Sequence, residues 1–525
     1  MRRNFYLGFG VITLIIIALL VLWHAPFPIF AALFIIFALI IFHDIKQKDH
    51  ALLRNFPILG HIRYLLEFFR PEIQQYFIAD NVSERPFDRE TRSLIYQRAK
   101  HDRETIPFGT QREINAHGYE WVEQSLSPVA ASEVEPRINI GGPDCKQPYP
   151  AAYLNISAMS FGALSKNAIL ALNQGAKLGG FAHNTGEGGL SPHHLAGGGD
   201  IIWQIGTGYF GCRTEEGHFN AELFREKAAH DQVKMIEIKL SQGAKPAHGG
   251  ILPAAKITPE IAKIRHVPMS KDVLSPPAHS AFNSPEGLLQ FVARLRELSN
   301  GKPVGFKLCL GRRSEFLGIC KGMIKTNILP DFITVDGAEG GTGAAPVEFS
   351  NHVGTPLNEG IVYIHNALIG IGVRNKIRLI ASGKIATGFD MISKVALGAD
   401  LCNAARPFML SLGCIQSQQC NTNHCPTGVA TQNPRLMRGL VVESKKYRVV
   451  NFQNATVHSF MELLGSMGVT TPQDLQPSYI QRRTGPGQVK NYAEIYGYIP
   501  EGVLLTEEAP EYLKKDWELA CAEHF

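Results

Sequence analysis

The sequence predicts an α/β fold, a (β/α)8 TIM barrel preceded by an N-terminal transmembrane helical hairpin. Three observations lead there. From about residue 150, short β-branched and apolar runs alternate with longer helical stretches. Eight such runs spread over ~250 residues suit a (β/α)8 barrel. Ahead of them, two charge-free apolar runs occupy residues 1–45. An open doubly wound sheet uses the same alternation and is the competing architecture.

Taken in order, "FYLGFGVITLIIIALLVLW" (Phe5 to Trp23) is close to the ~20 residues a spanning helix needs. "FPIFAALFIIFALIIF" (Phe27 to Phe42) follows almost at once and completes two expected transmembrane helices over 1–45. Arg2 and Arg3 precede the first run, and Lys46 and Lys48 follow the second. The positive-inside rule then puts both ends in the cytoplasm, so the expected location is the cell (inner) membrane with the catalytic domain facing the cytoplasm. A cleaved signal peptide fits poorly, because the run outlasts a signal core and no small-x-small site follows. The second run is short, so a re-entrant hairpin competes with two spans.

Residues 46–149 read as a juxtamembrane helical and linker region. Arg54, Arg63 and Arg70 there suit either an interfacial helix or ordinary packing. The barrel is expected over 150–475. Its strands are "AYLNISAM" (152–159), "GFAHNT" (180–185), "MIEIKLS" (235–241), "DVLSPP" (272–277), "PVGFKLCL" (303–310), "FITVDG" (332–337), "IRLIASG" (377–383) and "LCNAAR" (401–406). Helices are expected at Ser165 to Leu178, Pro285 to Ser299 and Gly388 to Leu397. A cysteine-bearing loop spans 412–432, and residues 476–525 form a C-terminal extension.

The formal charge of +5 over 525 residues is small, and no basic stripe points to nucleic acid. Nine cysteines is an odd count, and a cytoplasmic body keeps thiols reduced. Six of them are scattered and read as buried thiols.

Barrel chemistry sits at the C-terminal strand ends. "EGGTGAAP" (339–346) and "SGKIATG" (382–388) follow strands six and seven. Their glycines and backbone N–H groups favour a nucleotide or flavin phosphate over plain turns. Lys307 ends strand five, where a lysine needs an anion: a reduced flavin, or a carboxylate such as Asp336 or Glu339. Lys239, Lys245 and Arg265 suit a substrate with two carboxylates if they converge on one mouth. Cys414, Cys420 and Cys425 are spaced C-x5-C-x4-C-P. Zinc ribbons use tighter pairs, although His424 would complete a Cys3His site. The run has the style of iron–sulfur ligands, and spacing alone leaves a cluster and inert thiols evenly matched.

Residues 150 to about 475 resemble the FMN-binding synthase domain of glutamate synthase. The resemblance rests on "SAMSFGALS" (157–165), "HNTGEGGL" (183–190), "GTGYFGC" (206–212), "QGAKPAHGGILP" (242–253), "SPPAHSAFNS" (275–284), "EGGTGAAP" and "GCIQSQQCNTNHCPTGVATQ" (413–432), in the family's order. It implies a [3Fe–4S] cluster held by Cys414, Cys420 and Cys425. It implies FMN on Met159, Ser160, Thr207, Lys307, Gly340, Gly341, Thr342, Gly343, Gly383 and Lys384. Lys239, Lys245 and Arg265 match positions that hold a 2-oxo acid, and Glu187 lies near the ammonia entry. Lys245, Glu187 and Lys307 are the expected catalytic residues.

The implied reaction is reductive amination of 2-oxoglutarate, or a related 2-oxo acid, to glutamate. The implied partners are the oxo acid, ammonia, the membrane and an electron donor such as ferredoxin or a reductase subunit. Several positions depart from the family. Ile251 stands where it has glutamine, His248 where it has glutamate and Tyr209 where it has arginine. Ala386 and Phe389 replace lysine and arginine near the phosphate loop, and no glutaminase domain is recognisable. These departures keep two other functions open: an FMN and iron–sulfur oxidoreductase for another carboxylated amine, and a non-catalytic membrane-tethered redox relay.

Overall fold

Runs of buried β-branched and apolar residues become parallel strands because each face of such a strand must be covered. The computed structural model describes residues 27–102, 104–132, 135–244, 249–269 and 271–525. Two compact units meet in sequence at Arg89/Glu90.

In the N-terminal unit, α1 spans Phe27–Lys46 and α2 spans Leu59–Ile73, continued by a π-helical turn at Gln74–Ile78. The expected transmembrane hairpin is not found: among the described residues, no helix is long and apolar enough to cross a membrane. At about 1.5 Å per residue, the apolar stretch Phe27 to Phe42 reaches roughly 24 Å, short of a ~30 Å hydrocarbon core. Asp44 then brings a carboxylate into the last turn of α1. The first apolar run lies outside the described residues.

The second unit is built on a closed eight-stranded parallel barrel. Its strands are β1 (Leu154–Ile156), β2 (His183–Asn184), β3 (Ile201–Ile205), β4 (Val233–Lys239), β5 (Val304–Leu308), β6 (Phe332–Asp336), β7 (Arg378–Ser382) and β8 (Leu401–Ala404). They pair in sequence order, and β8 closes on β1. Two expectations are corrected. "IIWQI" (201–205) is the third strand, fully buried along its length. Val273–Leu274 of "DVLSPP" is no barrel strand; it pairs antiparallel with Ile251–Leu252 in a hairpin. Pro276 and Pro277 remove the N–H groups a longer ladder would need.

Helices fill the crossovers. α3 (Lys166–Gly179) starts at Ser165, whose hydroxyl accepts from the Ala168 N–H, and ends at Gly180 with φ 66°. α4 (Pro285–Leu298) starts in the same way at Ser284. After it come α5 (Arg313–Thr326), α6 (Leu357–Gly370) and α7 (Gly388–Ala396). α8 (Val442–Ser466) lies on α3, where a Cβ at Gly175 would meet Val449 Cβ at 2.6 Å. The C-terminal extension packs back on this unit. Ile480–Gly485 pairs antiparallel with Glu120–Val122, and Lys321 of α5 donates to the Ala520 carbonyl.

Strand register decides what faces the lumen. Gln204 is level with Glu237, Lys239 with Lys307, Lys307 with Thr334, Asp336 with Ser382, and Ser382 with Asn403. Hydrogen bonds from Asn184, Gln204 and Thr334 to Glu237 fix this face as the inner one.

Candidate active site

Glu237 sits at the centre of the lumen with no solvent exposure. Its Oε1 accepts from Asn184 Nδ2 (3.0 Å) and Gln204 Nε2 (2.6 Å), and its Oε2 from Thr334 Oγ1 (2.9 Å). A buried carboxylate needs such donors, and charge-assisted bonds are the strong ones. One layer toward the C-terminal mouth, Lys239 and Lys307 stand side by side on β4 and β5. Lys307 Nζ lies 3.3 Å from Asp336 Oδ2, and Lys239 Nζ lies 3.0 Å from Glu187 Oε1. Burial alone would lower the Lys307 pKa, but Asp336, Glu237 and Glu187 outweigh it and hold it above the ordinary value. Each of the two lysines therefore enters the mouth as half of an ion pair.

The loops above these strands interlock. A Cβ at Gly186 would come 2.8 Å from Ser160 N, so the loops after β1 and β2 touch back to back. Glu187 is packed beneath Gly250, where an added Cβ would strike its Oε1. Ile251, the next residue, opens the short strand that pairs with Val273–Leu274. Arg265 ends the helix Pro259–Arg265 and is buried. Its Nη2 donates to the Phe161 carbonyl (3.0 Å) and Ser160 Oγ (3.3 Å), and its guanidinium lies over the Phe210 ring. Burial pulls its pKa down to about 10, and Glu187 opposes that shift.

A further chain runs behind Lys239. His279 Nε2 donates to the Lys239 carbonyl (2.9 Å), which leaves Nδ1 to accept from Tyr209 Oη (3.0 Å). Tyr209 Oη in turn accepts from the Ala281 N–H. Burial holds His279 neutral, with its pKa lowered to about 4. Tyr209 thus fixes the strand end that carries Lys239, using a hydroxyl where the family resemblance led to arginine.

The remaining sequence-derived residues fall around the same mouth. Met159 and Ser160 follow β1. Thr207 follows β3, and its hydroxyl donates to the Pro276 carbonyl (2.6 Å). Gly340, Gly341, Thr342 and Gly343 follow β6; Gly383 and Lys384 follow β7, with Lys384 at φ 52°. Lys245 and His248 lie outside the described residues. Asn403 Oδ1 and Ser275 Oγ are buried polar atoms without a partner. Those orphans and the glycine loops match the needs of a polar, phosphate-bearing cofactor.

The cysteine loop follows β8 and the helix Arg406–Ser411. It meets the β6 loop directly: a Cβ at Gly343 would come 3.1 Å from Cys420 Cβ. The Gln416 N–H donates to Cys414 Sγ at 3.4 Å. Burial pushes the Cys414 thiol up to about 12 and also raises Cys420. Burial would raise Cys425 too, but the Thr427 hydroxyl and the backbone N–H groups of Ala430, Thr427 and Val429 bring it below its ordinary value. Lys256 is buried nearby, donating to the Ala163 (3.1 Å) and Ala430 (3.0 Å) carbonyls. It ties the β1 loop to the end of the cysteine loop. Among the described residues, no three His, Cys, Asp or Glu side chains are placed to hold a single metal ion. A cuboidal iron–sulfur cluster takes one cysteine per iron, and free thiols in contact with backbone donors are the donor chemistry it uses.

Residues 119–470 match the family described as the conserved region in glutamate synthase. The chain belongs to the glutamate synthase family. It is 36% identical over 498 residues to the glutamate synthase large subunit-like protein YerD of Bacillus subtilis (strain 168), covering 87% of this chain and 94% of that protein. It is 35% identical over 380 residues to an archaeal glutamate synthase [NADPH] of Methanocaldococcus jannaschii, covering 72% and 70%. A mutant flavocytochrome b2 structure with pyruvate bound aligns at a TM-score of 0.42 and 10% identity over 85% of this chain and 90% of that one, too weak a likeness to bear on function. Membership makes the chain an oxidoreductase acting on CH–NH2 donors.

Sequence reading had not singled out Glu237, Tyr209 or His279 as working residues. Glu237 carried a signal: an acid two residues before Lys239 in an apolar strand must share its face. The Tyr209–His279 bond joins two separate loops and leaves no local pattern.

Proposed function

We propose that the chain catalyses reductive amination of a 2-oxo acid, with 2-oxoglutarate to glutamate as the reference reaction. The observation that carries this reading is the convergence of Lys239, Glu187, Arg265 and Lys307 on one mouth whose β6 loop touches Cys420. When bound, FMN would supply hydride chemistry and a [3Fe–4S] cluster would supply electron entry. Met159, Ser160, Thr207, Gly340–Gly343, Gly383 and Lys384 would hold the flavin. Cys414, Cys420 and Cys425 would hold the cluster.

The chain's own groups have separable tasks. Lys307, kept charged by Asp336 and Glu237, would meet negative charge at the flavin edge. Lys239 would exchange part of its bond to Glu187 for an oxo-acid carboxylate. Glu187, released in that exchange, would accept a proton from ammonium and leave ammonia to attack the carbonyl carbon. Arg265 is anchored by two protein oxygens and stacked on Phe210, so it would orient the acid through a fixed charge. The electron donor would be a ferredoxin or a reductase subunit.

The test is anaerobic incubation with a strong reductant, ammonia and a set of 2-oxo acids, with amino acid products measured. Amination that needs both ammonia and oxo acid supports the proposal. Flavin that is reduced and reoxidised with no amino acid formed from any oxo acid overturns it. A second reading, oxidation of another carboxylated amine, is favoured by the apolar Ile251 that follows Gly250, the glycine packed on Glu187, and is tested by amine-driven flavin reduction.

A further inference from the structure

The N-terminal unit exposes apolar surface that no described part of that unit covers. On α2, Leu59, Ile62, Leu65, Leu66, Phe69 and Ile73 are all exposed. Their spacing places the six on one side of the helix, about a third of its circumference. With Ile78 of the following turn, part of this stripe forms a groove of about 550 Å³ edged by Arg63, Glu67 and Arg70, with Glu67 Oε1 3.9 Å from Arg63 Nη2. Phe68 and Phe77 project still further, at 73% and 84% exposure. Contiguous apolar surface of this extent marks a binding face.

α1 narrows the choice of partner. Leu33, Phe34, Ile35, Ile36 and Phe37 are consecutive and all exposed. Successive helical residues point about 100° apart, so this apolar surface runs all round the helix. A protein groove covers one side of a helix, whereas hydrocarbon covers every side. The two helices are also held at a built corner. Asp44, fully buried, accepts from the Ile58 N–H (3.2 Å) and from His61 Nε2 (2.9 Å). Ile58 has φ 64°, a costly conformation for a β-branched residue that persists only where neighbours hold it. Between the corner and the end of α2 the five cations Lys46, Lys48, Arg54, Arg63 and Arg70 outnumber the three anions Asp49, Glu67 and Glu72. That sign suits anionic headgroups, and the exposed aromatic residues of α2 suit the headgroup boundary.

We propose that α1, α2 and the turn to Ile78 dock on an anionic phospholipid bilayer, with α1 in the hydrocarbon and α2 lying in the interface plane, Arg63 and Arg70 toward the headgroups. This is an in-plane attachment, a different geometry from the transmembrane hairpin that the sequence suggested.

The experiment uses the full chain carrying Phe69→Trp, on the stripe itself, and vesicles of phosphatidylcholine with and without phosphatidylglycerol, some prepared with brominated acyl chains. The chain is expected to float with the vesicles. The introduced indole should be quenched by the brominated lipid beyond the quenching of the parent chain. Arg63→Gln/Arg70→Gln should lower the preference for phosphatidylglycerol by about fivefold per cation removed. Flotation without extra quenching would mean attachment elsewhere in the chain and would overturn the proposal. So would failure to float, or a blue-shifted indole without lipid that reverts on dilution, which would assign the face to a second copy of the chain.

Discussion

The Lys307–Asp336 pair is the most direct handle on the electrostatics of the mouth. Its atoms are 3.3 Å apart, and the side chains are only 7% and 10% exposed. At an effective dielectric of about 20, unit charges at that distance attract by about 5 kcal/mol. Part of this offsets the desolvation of both groups. Lys307→Met leaves Asp336 with the Gly243 N–H as its remaining close donor, at a cost of about 3–5 kcal/mol. Asp336→Asn keeps the Gly243 bond and leaves Lys307 the fields of Glu237 and Glu187, so about 2–3 kcal/mol is expected. The double variant removes both charges and should cost little more than either single one. A double-mutant cycle by urea unfolding, run on flavin-free protein, should therefore give a coupling of about 3 kcal/mol. Additivity within about 0.5 kcal/mol would refute the claim that Lys307 is held by Asp336.

Glu237→Gln keeps the shape but puts an amide donor among three donors; about 1.5–3 kcal/mol of stability should be lost, and an unchanged urea midpoint would count against the three-donor arrangement. Cys420→Ser should remove the iron while the flavin stays, read by iron analysis and the visible spectrum; retained iron would sink the ligand assignment. His279 and His183 are buried and His365 is half-buried; desolvation keeps all three neutral, with pKa values lowered to about 4, 3 and 3. Below about pH 6.5 the unfolded chain binds their protons first, so the stability they contribute is intact above that pH and falls as pH drops toward 4 and then 3, by up to about 1.4 kcal/mol per pH unit for each. Urea midpoints equal at pH 7 and pH 5 would contradict this. Ile251→Gln should raise kcat/KM for 2-oxoglutarate by up to about tenfold, the scale of one hydrogen bond; no change would place Ile251 away from the acid.

Most of the barrel was legible because its strands are short buried runs rich in β-branched and apolar residues. β3 escaped because only the short helix Pro192–Gly197 separates it from β2, so no full helical stretch announced a new unit. "DVLSPP" misled because β-branched residues suggest a strand wherever they fall, while pairing depends on partners the sequence does not show. At the site, loop glycines and mouth lysines could be found by position alone. Their pairing could not: Lys239 with Glu187, and Tyr209 with His279, are made by loops distant in sequence. The apolar N-terminal run was visible as composition, but the Asp44–His61 corner that shapes it is a tertiary contact.

The most direct measurement is stopped-flow reoxidation of the anaerobically reduced, cofactor-loaded chain, followed by flavin absorbance. An aminating site should be reoxidised rapidly only when a 2-oxo acid and ammonia are both present, with Glu187→Gln slowed by at least tenfold. Reoxidation that ignores ammonia, or none with any oxo acid, would contradict it.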